Sequence, residues 1–127
     1  QKHIYGIIYS SNLYEVILLL IDFNNFDEMS ISSLNGGDGT VLAKIFMDKS
    51  NKIMISRIPP KASIGQHKHE TSSEIDFVLS GIGKAICDGK TEELKNGICH
   101  YCPKLSSHSI INTGESDLIL FTVVPEQ

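Results

Sequence analysis

The sequence predicts an all-β protein: a sandwich or closed barrel of short strands, preceded by an extra N-terminal segment. Three observations carry this. From residue 40 onward, short apolar or alternating runs recur, each bounded by a turn-forming cluster. No long stretch shows the 3.6-residue period of an amphipathic helix. The ten glycines, the many Ile, Val and Ser residues and the absence of Trp suit strands and tight turns.

Taken in order, residues 1–22 form an N-terminal extension and residues 23–127 a single domain. The stretch KHIYGIIYSSNLYEVILLLID is apolar, aromatic and β-prone. It reads as one or two strands, or as a strand and a short helix. It serves as extra structure packed on the domain, as a non-native leader, or as a strand that pairs with a partner subunit, since an exposed apolar edge needs cover. A short turn of helix is expected around Asp27–Met29. Gly36, Gly37 and Gly39 then precede a strand-like run. Their spacing does not fit a phosphate-binding loop and no helix pattern follows, so they read as a tight turn or bulge.

Strands are expected at Thr40–Met47, Lys52–Ile58, Gly65–Lys68, Glu74–Ser80, Lys84–Cys87, Ile98–Tyr101, His108–Asn112 and Leu118–Val124. Turns fall at Asp48–Asn51, Pro59-Pro60, Ser80–Gly83, Asp88-Gly89, Asn96-Gly97, Pro103–Ser107 and Thr113-Gly114. Asp88-Gly89 is a strong hairpin signal, because both turn positions must accept positive φ.

Composition narrows the function classes. Charged residues make up 20% of the chain and hydrophobic ones 41%, the balance of a folded globular domain rather than a disordered one. Eleven basic and fifteen acidic residues leave a net charge of −4, which disfavours nucleic acid and anionic membrane as partners. No apolar run approaches the roughly 18 residues needed to span a bilayer. Three cysteines cannot all pair, and no secretory pattern opens the chain, so a reducing, cytoplasmic setting is expected.

Four of the five histidines lie between residues 67 and 108; His3 is too remote to interpret. His67 and His69 stand two apart, so on one strand they share a face. Glu74 opens the next apolar run after a turn and can face the same pocket. His108 opens another strand far along the chain. Three imidazoles and one carboxylate on rigid strands suit one divalent transition-metal ion; Mn, Fe, Ni, Co, Cu and Zn all accept such donors. Asp76 shares a face with Glu74 and Val78, which makes it the candidate for acid–base work or for a hydrogen bond to a ligand histidine. Gln66 and Lys68 should point outward. His100 reads as an ordinary surface histidine. Cys99 and Cys102 spell C-x-x-C, but on a strand residues three apart face opposite ways, which disfavours a dithiol site and leaves Cys102 to line the barrel.

The stretch GQHKHETSSEIDFVLSG resembles the first motif of the cupin family, with His67, His69 and Glu74 on its ligand positions and Gly81 on its closing glycine. GICHYCPKLSSHSIIN resembles the second motif, with Gly97, Pro103, His108 and Asn112 in place and His108 as the fourth ligand. The resemblance covers about residues 35–125. It implies a double-stranded β-helix, the cupin jelly-roll barrel, with a metal near one open end. Phe77, Leu79 and Ile110 are apolar wall candidates, whichever of them face in. It also implies a small oxygenated acid or sugar as ligand. The activity is then of the isomerase, decarboxylase, lyase or dioxygenase type, or else non-catalytic binding and sensing. A homodimer is expected from the same resemblance. Three positions depart from the family pattern: Lys61 and Leu105 replace glycines, and Ile98 replaces an acidic residue. Because a residue with a Cβ tolerates positive φ poorly, the loop entering His108 is expected to take another shape.

Overall fold

A computed structural model describes the backbone of residues 4–11 and 14–127, and side chains from residue 20 onward. His3 lies outside the described residues, as do the side chains of most of the N-terminal extension. The described residues form twelve strands: β1 (Ile4–Ser11), β2 (Tyr14–Ile21), β3 (Met29–Ser32), β4 (Thr40–Met47), β5 (Asn51–Ile58), β6 (Ser63–Lys68), β7 (Glu74–Ser80), β8 (Ile82–Cys87), β9 (Lys90–Lys95), β10 (Cys99–Cys102), β11 (Ser107–Asn112) and β12 (Leu118–Pro125). β1 and β2 pair antiparallel as a sheet of their own. The remaining strands make a six-stranded sheet, β10-β7-β12-β5-β4-β3, and a four-stranded sheet, β6-β11-β8-β9. All their pairings are antiparallel. No helix among the described residues is long and apolar enough to cross a membrane.

The two sheets close on one core. Val41, Ile58, Val78, Leu118 and Leu120 from the first meet Ala85, Leu94 and Ile110 from the second. This is the jelly-roll architecture. Alternation along each strand grades the interior from one end to the other. On β5 the inward residues run Lys52, Met54, Ser56, Ile58; on β12 they run Val124, Thr122, Leu120, Leu118. The interior is thus apolar at one end and polar at the other. Asn112 seals the apolar end. Its amide donates to the carbonyls of Ile58 (2.7 Å) and Ser116 (2.8 Å), and its oxygen accepts from the Gly114 N–H (2.7 Å).

Several local expectations change. The expected helical turn lies earlier, as a 3₁₀ turn at Phe23–Asn25 capped by Asp22, and Met29 opens a strand instead. β3 and β9 form strands beyond those expected, from the short MSIS and the highly charged KTEELK. Charge of that kind protects an edge strand, which is where both lie. The hairpin at Asp88-Gly89 forms as expected, with both residues at positive φ. The glycine cluster does make a turn, and it does more. Gly37 and Gly65 pack backbone to backbone, and a Cβ on either would collide with the other segment. That contact holds the Leu34–Gly36 turn against β6.

In the loop entering His108, positive φ is adopted without a glycine. Leu105 adopts φ 74° and Lys61 φ 68°, the conformation a glycine would supply. Each sits third in a four-residue turn. Ser106 N–H donates to the Pro103 carbonyl (3.1 Å), and Ala62 N–H donates to that of Pro59 (3.0 Å). Both turns close with positive φ at a residue that carries a Cβ, so the backbone strain is carried.

Candidate metal centre

Strand register assembles the site. His108 on β11 lies directly opposite His67 on β6. Between this pair and the next, Ile110 with Ile64, the register slips and β6 gains one residue. That bulge lets Ile64 and His67, three apart, both line the interior. His69 follows β6 and is held by the strained loop: its N–H donates to the Ser106 carbonyl (3.0 Å), and its carbonyl accepts from Leu105 N–H (2.6 Å). Glu74 opens β7 in the opposite sheet, so the site spans both layers.

The four donors converge. His69 Nε2 lies 3.0 Å from His108 Nε2, and His108 Nε2 lies 3.2 Å from His67 Nε2. Glu74 places Oε1 3.4 Å from His69 Nε2 and Oε2 3.4 Å from His108 Nε2. Donors held about 2.1 Å from one ion, at angles between roughly 90° and 109°, sit about 3.0–3.4 Å apart. The other ring nitrogens are engaged. His67 Nδ1 meets the Gly65 carbonyl (2.8 Å), and His69 Nδ1 meets Ser72 Oγ (3.2 Å). A carbonyl only accepts, so His67 carries its proton on Nδ1 and turns a lone pair inward. The donor set, its spacing and its tethers are compatible with a metal ion.

Electrostatics agree. Burial pushes His67 and His69 below the ordinary imidazole range. Burial, reinforced by His67, His100 and His69, takes His108 down to about 3. All three rings are therefore neutral at pH 7, the form that binds a metal. Burial raises Glu74 despite Asp76 and Lys52 beside it. Asp76 is 1% exposed rather than at a solvent-facing edge. Its Oδ1 accepts from Thr122 Oγ1 (2.5 Å), and its Oδ2 has no donor among the described residues. It makes no hydrogen bond to a histidine among the described residues, although it lies near His100 and His108. Burial and the neighbouring Glu74 carboxylate raise it well above the usual range.

His67, His69, Glu74 and Asp76 line a cavity of about 620 Å³ whose walls include Ile31, Val41, Met54, Ile64 and Val124. Lys52 points into it beside the donors. Of the expected apolar walls, Ile110 faces in, while Phe77 and Leu79 are each 40% exposed on the outer face. Gln66 and Lys68 are exposed as expected.

His100 overturns its reading as a surface residue. It is 1% exposed and its ring stacks on that of His108, with centroids 5.1 Å apart. Its parity with Cys102 was the available signal, since Cys102 is fully buried. Cys99 is exposed and Cys102 buried, so the C-x-x-C pair does not face one way. Burial, with Cys87 beside it, pushes the Cys102 thiol up to about 12, which makes it a poor nucleophile.

The cupin-domain family profile matches residues 54–124. The chain belongs to the cupin family. It is 37% identical over 100 residues to the oxalate-binding protein of Thermotoga maritima, covering 74% of this chain and 83% of that protein. The crystal structure of a predicted oxalate decarboxylase from Thermotoga maritima superposes with a TM-score of 0.80 at 30% identity, over 85% of this chain and 99% of the other. The cupin domain of Schizosaccharomyces pombe Cnp3 superposes with a TM-score of 0.77 at 11% identity, covering 100% of this chain and 90% of that domain, a likeness of fold alone.

Proposed function

We propose that this cupin holds one divalent transition-metal ion on His67, His69, Glu74 and His108 and uses it to bind and convert a small carboxylic acid. The observation that carries the reading is the convergence of three Nε2 atoms and one carboxylate at 3.0–3.4 Å. When bound, the ion supplies Lewis-acid polarisation of a carbonyl or carboxylate, or activation of oxygen. The chain's own residues do the rest. Lys52 supplies positive charge for an anionic ligand, and the apolar walls exclude water. Asp76, with its orphaned Oδ2, is the acid–base candidate. The reaction is of the isomerase, decarboxylase, lyase or dioxygenase type. The similarity to an oxalate-binding protein supports a small acid such as oxalate as ligand, and it also favours a second reading in which binding is not followed by conversion.

We further propose that the protein works in the cytoplasm as a homodimer. The three free thiols support the compartment. The outer face of the six-stranded sheet supports the dimer, because Ile75, Phe77, Leu79 and Tyr101 are exposed there side by side.

Metal analysis by mass spectrometry, on protein purified without chelator, tests the site. Near-stoichiometric metal that is lost in the His67→Ala/His108→Ala variant is expected. A chain that binds no divalent ion even after reconstitution refutes it. Calorimetry with oxalate on the loaded protein, followed by product analysis, separates conversion from binding alone.

A further inference from the structure

Of the three histidines in the cluster, His108 is the one whose second nitrogen meets a further histidine. Its Nδ1 lies 2.8 Å from His100 Nε2, and His100 Nδ1 lies 2.6 Å from Glu92 Oε1. His100 sits on β10, an edge of the six-stranded sheet. Glu92 sits on β9, an edge of the four-stranded sheet, on the same inward face as buried Leu94. The chain therefore runs from the four-donor cluster to a carboxylate that is half exposed at the side of the barrel.

With Glu92 ionised and His100 neutral, one hydrogen-bond direction runs along this chain. A carboxylate only accepts, so His100 donates from Nδ1. A neutral His100 ring then presents a lone pair at Nε2. That lone pair requires the proton of His108 to sit on Nδ1, which leaves His108 Nε2 bare toward His67 and His69. The opposite tautomer would place a proton in the middle of the cluster.

We propose that Glu92 and His100 are positioning residues that lock His108 in its metal-binding tautomer and thereby set the affinity of the site. This rests on the reading of His67, His69, Glu74 and His108 as ligands. It adds a role for two residues outside that set, one of them at the protein surface. Orienting partners of this kind are worth about 10–100-fold in metal affinity.

The experiment compares wild type with His100→Phe, His100→Gln and Glu92→Gln. Co(II) affinity is measured by chelator competition, with the visible spectrum of the bound ion recorded. The tautomer of His108 is read in the metal-free protein by nitrogen-15 NMR. His100→Phe should weaken Co(II) binding by about 10–100-fold and leave His108 in mixed tautomers. His100→Gln, whose Oε1 can accept from His108, should restore the Nδ1–H tautomer and most of the affinity. Glu92→Gln keeps an acceptor without the charge and should give a smaller loss in the same direction.

Since Glu92–His100 also joins two sheet edges, melting of the metal-free variants reports any purely structural loss. A His100→Phe protein that melts lower but binds Co(II) unchanged overturns the proposal. So does an Nε2–H tautomer of His108 in wild type. Two ions per chain would also overturn it, because Asp76, His100 and His108 could then hold the second and no proton would lie between the rings. If wild type bound no ion, the ligand reading would fall, and the tautomer measurement would still decide the relay.

Discussion

Replacing Leu105 by glycine should make this protein more stable, although it removes a large apolar side chain. Leu105 holds φ 74° and is 62% exposed, so little burial is lost with the side chain. A left-handed conformation costs an L-residue about 1–2 kcal/mol. Glycine gives back roughly 0.5–1 kcal/mol through its greater freedom in the unfolded chain. The net gain is about 0.5–1 kcal/mol. Lys61, exposed and at φ 68°, offers the same gain. The two turns flank opposite ends of the β6–β11 ladder, which runs from Ser63 paired with Ile111 to Lys68 paired with Ser107. At about 3.4 Å per residue that separates them by more than 15 Å, so the effects should add. The Lys61→Gly/Leu105→Gly protein should gain about 1–2 kcal/mol, or roughly 3–5 °C in Tm per kcal/mol for a chain of this length. Urea and thermal unfolding of the metal-free protein measure it, with Lys61→Ala and Leu105→Ala as controls that keep a Cβ. Glycine variants no more stable than the alanine ones would refute the claim that these turns store strain.

Two more expectations concern charge and assembly. The histidines at the site have folded values below their unfolded ones, so their contribution is full above pH 6.5 and is lost as pH falls toward about 3, the value of His108. Asp76 runs the other way. Its folded value lies above its unfolded one, so its contribution is present below about pH 3.8 and turns into a cost as pH rises. Asp76→Asn should therefore stabilise the metal-free protein relative to wild type at pH 7 and lose that advantage near pH 3; an advantage independent of pH would contradict the assignment. Light scattering at micromolar concentration should give twice the chain mass, and Phe77→Lys on the exposed outer face should shift it toward the monomer; a monomeric wild type removes the proposed dimer.

The sequence by itself determined the fold class, because alternation and turn chemistry are local. Thr40–Met47 and Glu74–Ser80 form strands with the expected bounds. Asp88-Gly89 turns a hairpin because its two residues accept positive φ. It also marked His67, His69, Glu74 and His108, the four residues that converge, although His69 lies just past β6 and is held by the loop at Leu105 and Ser106 rather than by strand alternation. Tertiary structure decided what depends on residues far apart. The bulge that brings Ile64 and His67 to one surface exists only in the register with β11. The burial of His100 depends on Glu92 from the other sheet meeting its Nδ1, and no periodicity within CHYC contains that contact. Leu105 and Lys61 show the limit most plainly. Local preference argued against positive φ at both, yet closing the turns around the β6–β11 ladder requires it, and the packing of the barrel outweighs a cost of about 1–2 kcal/mol at each.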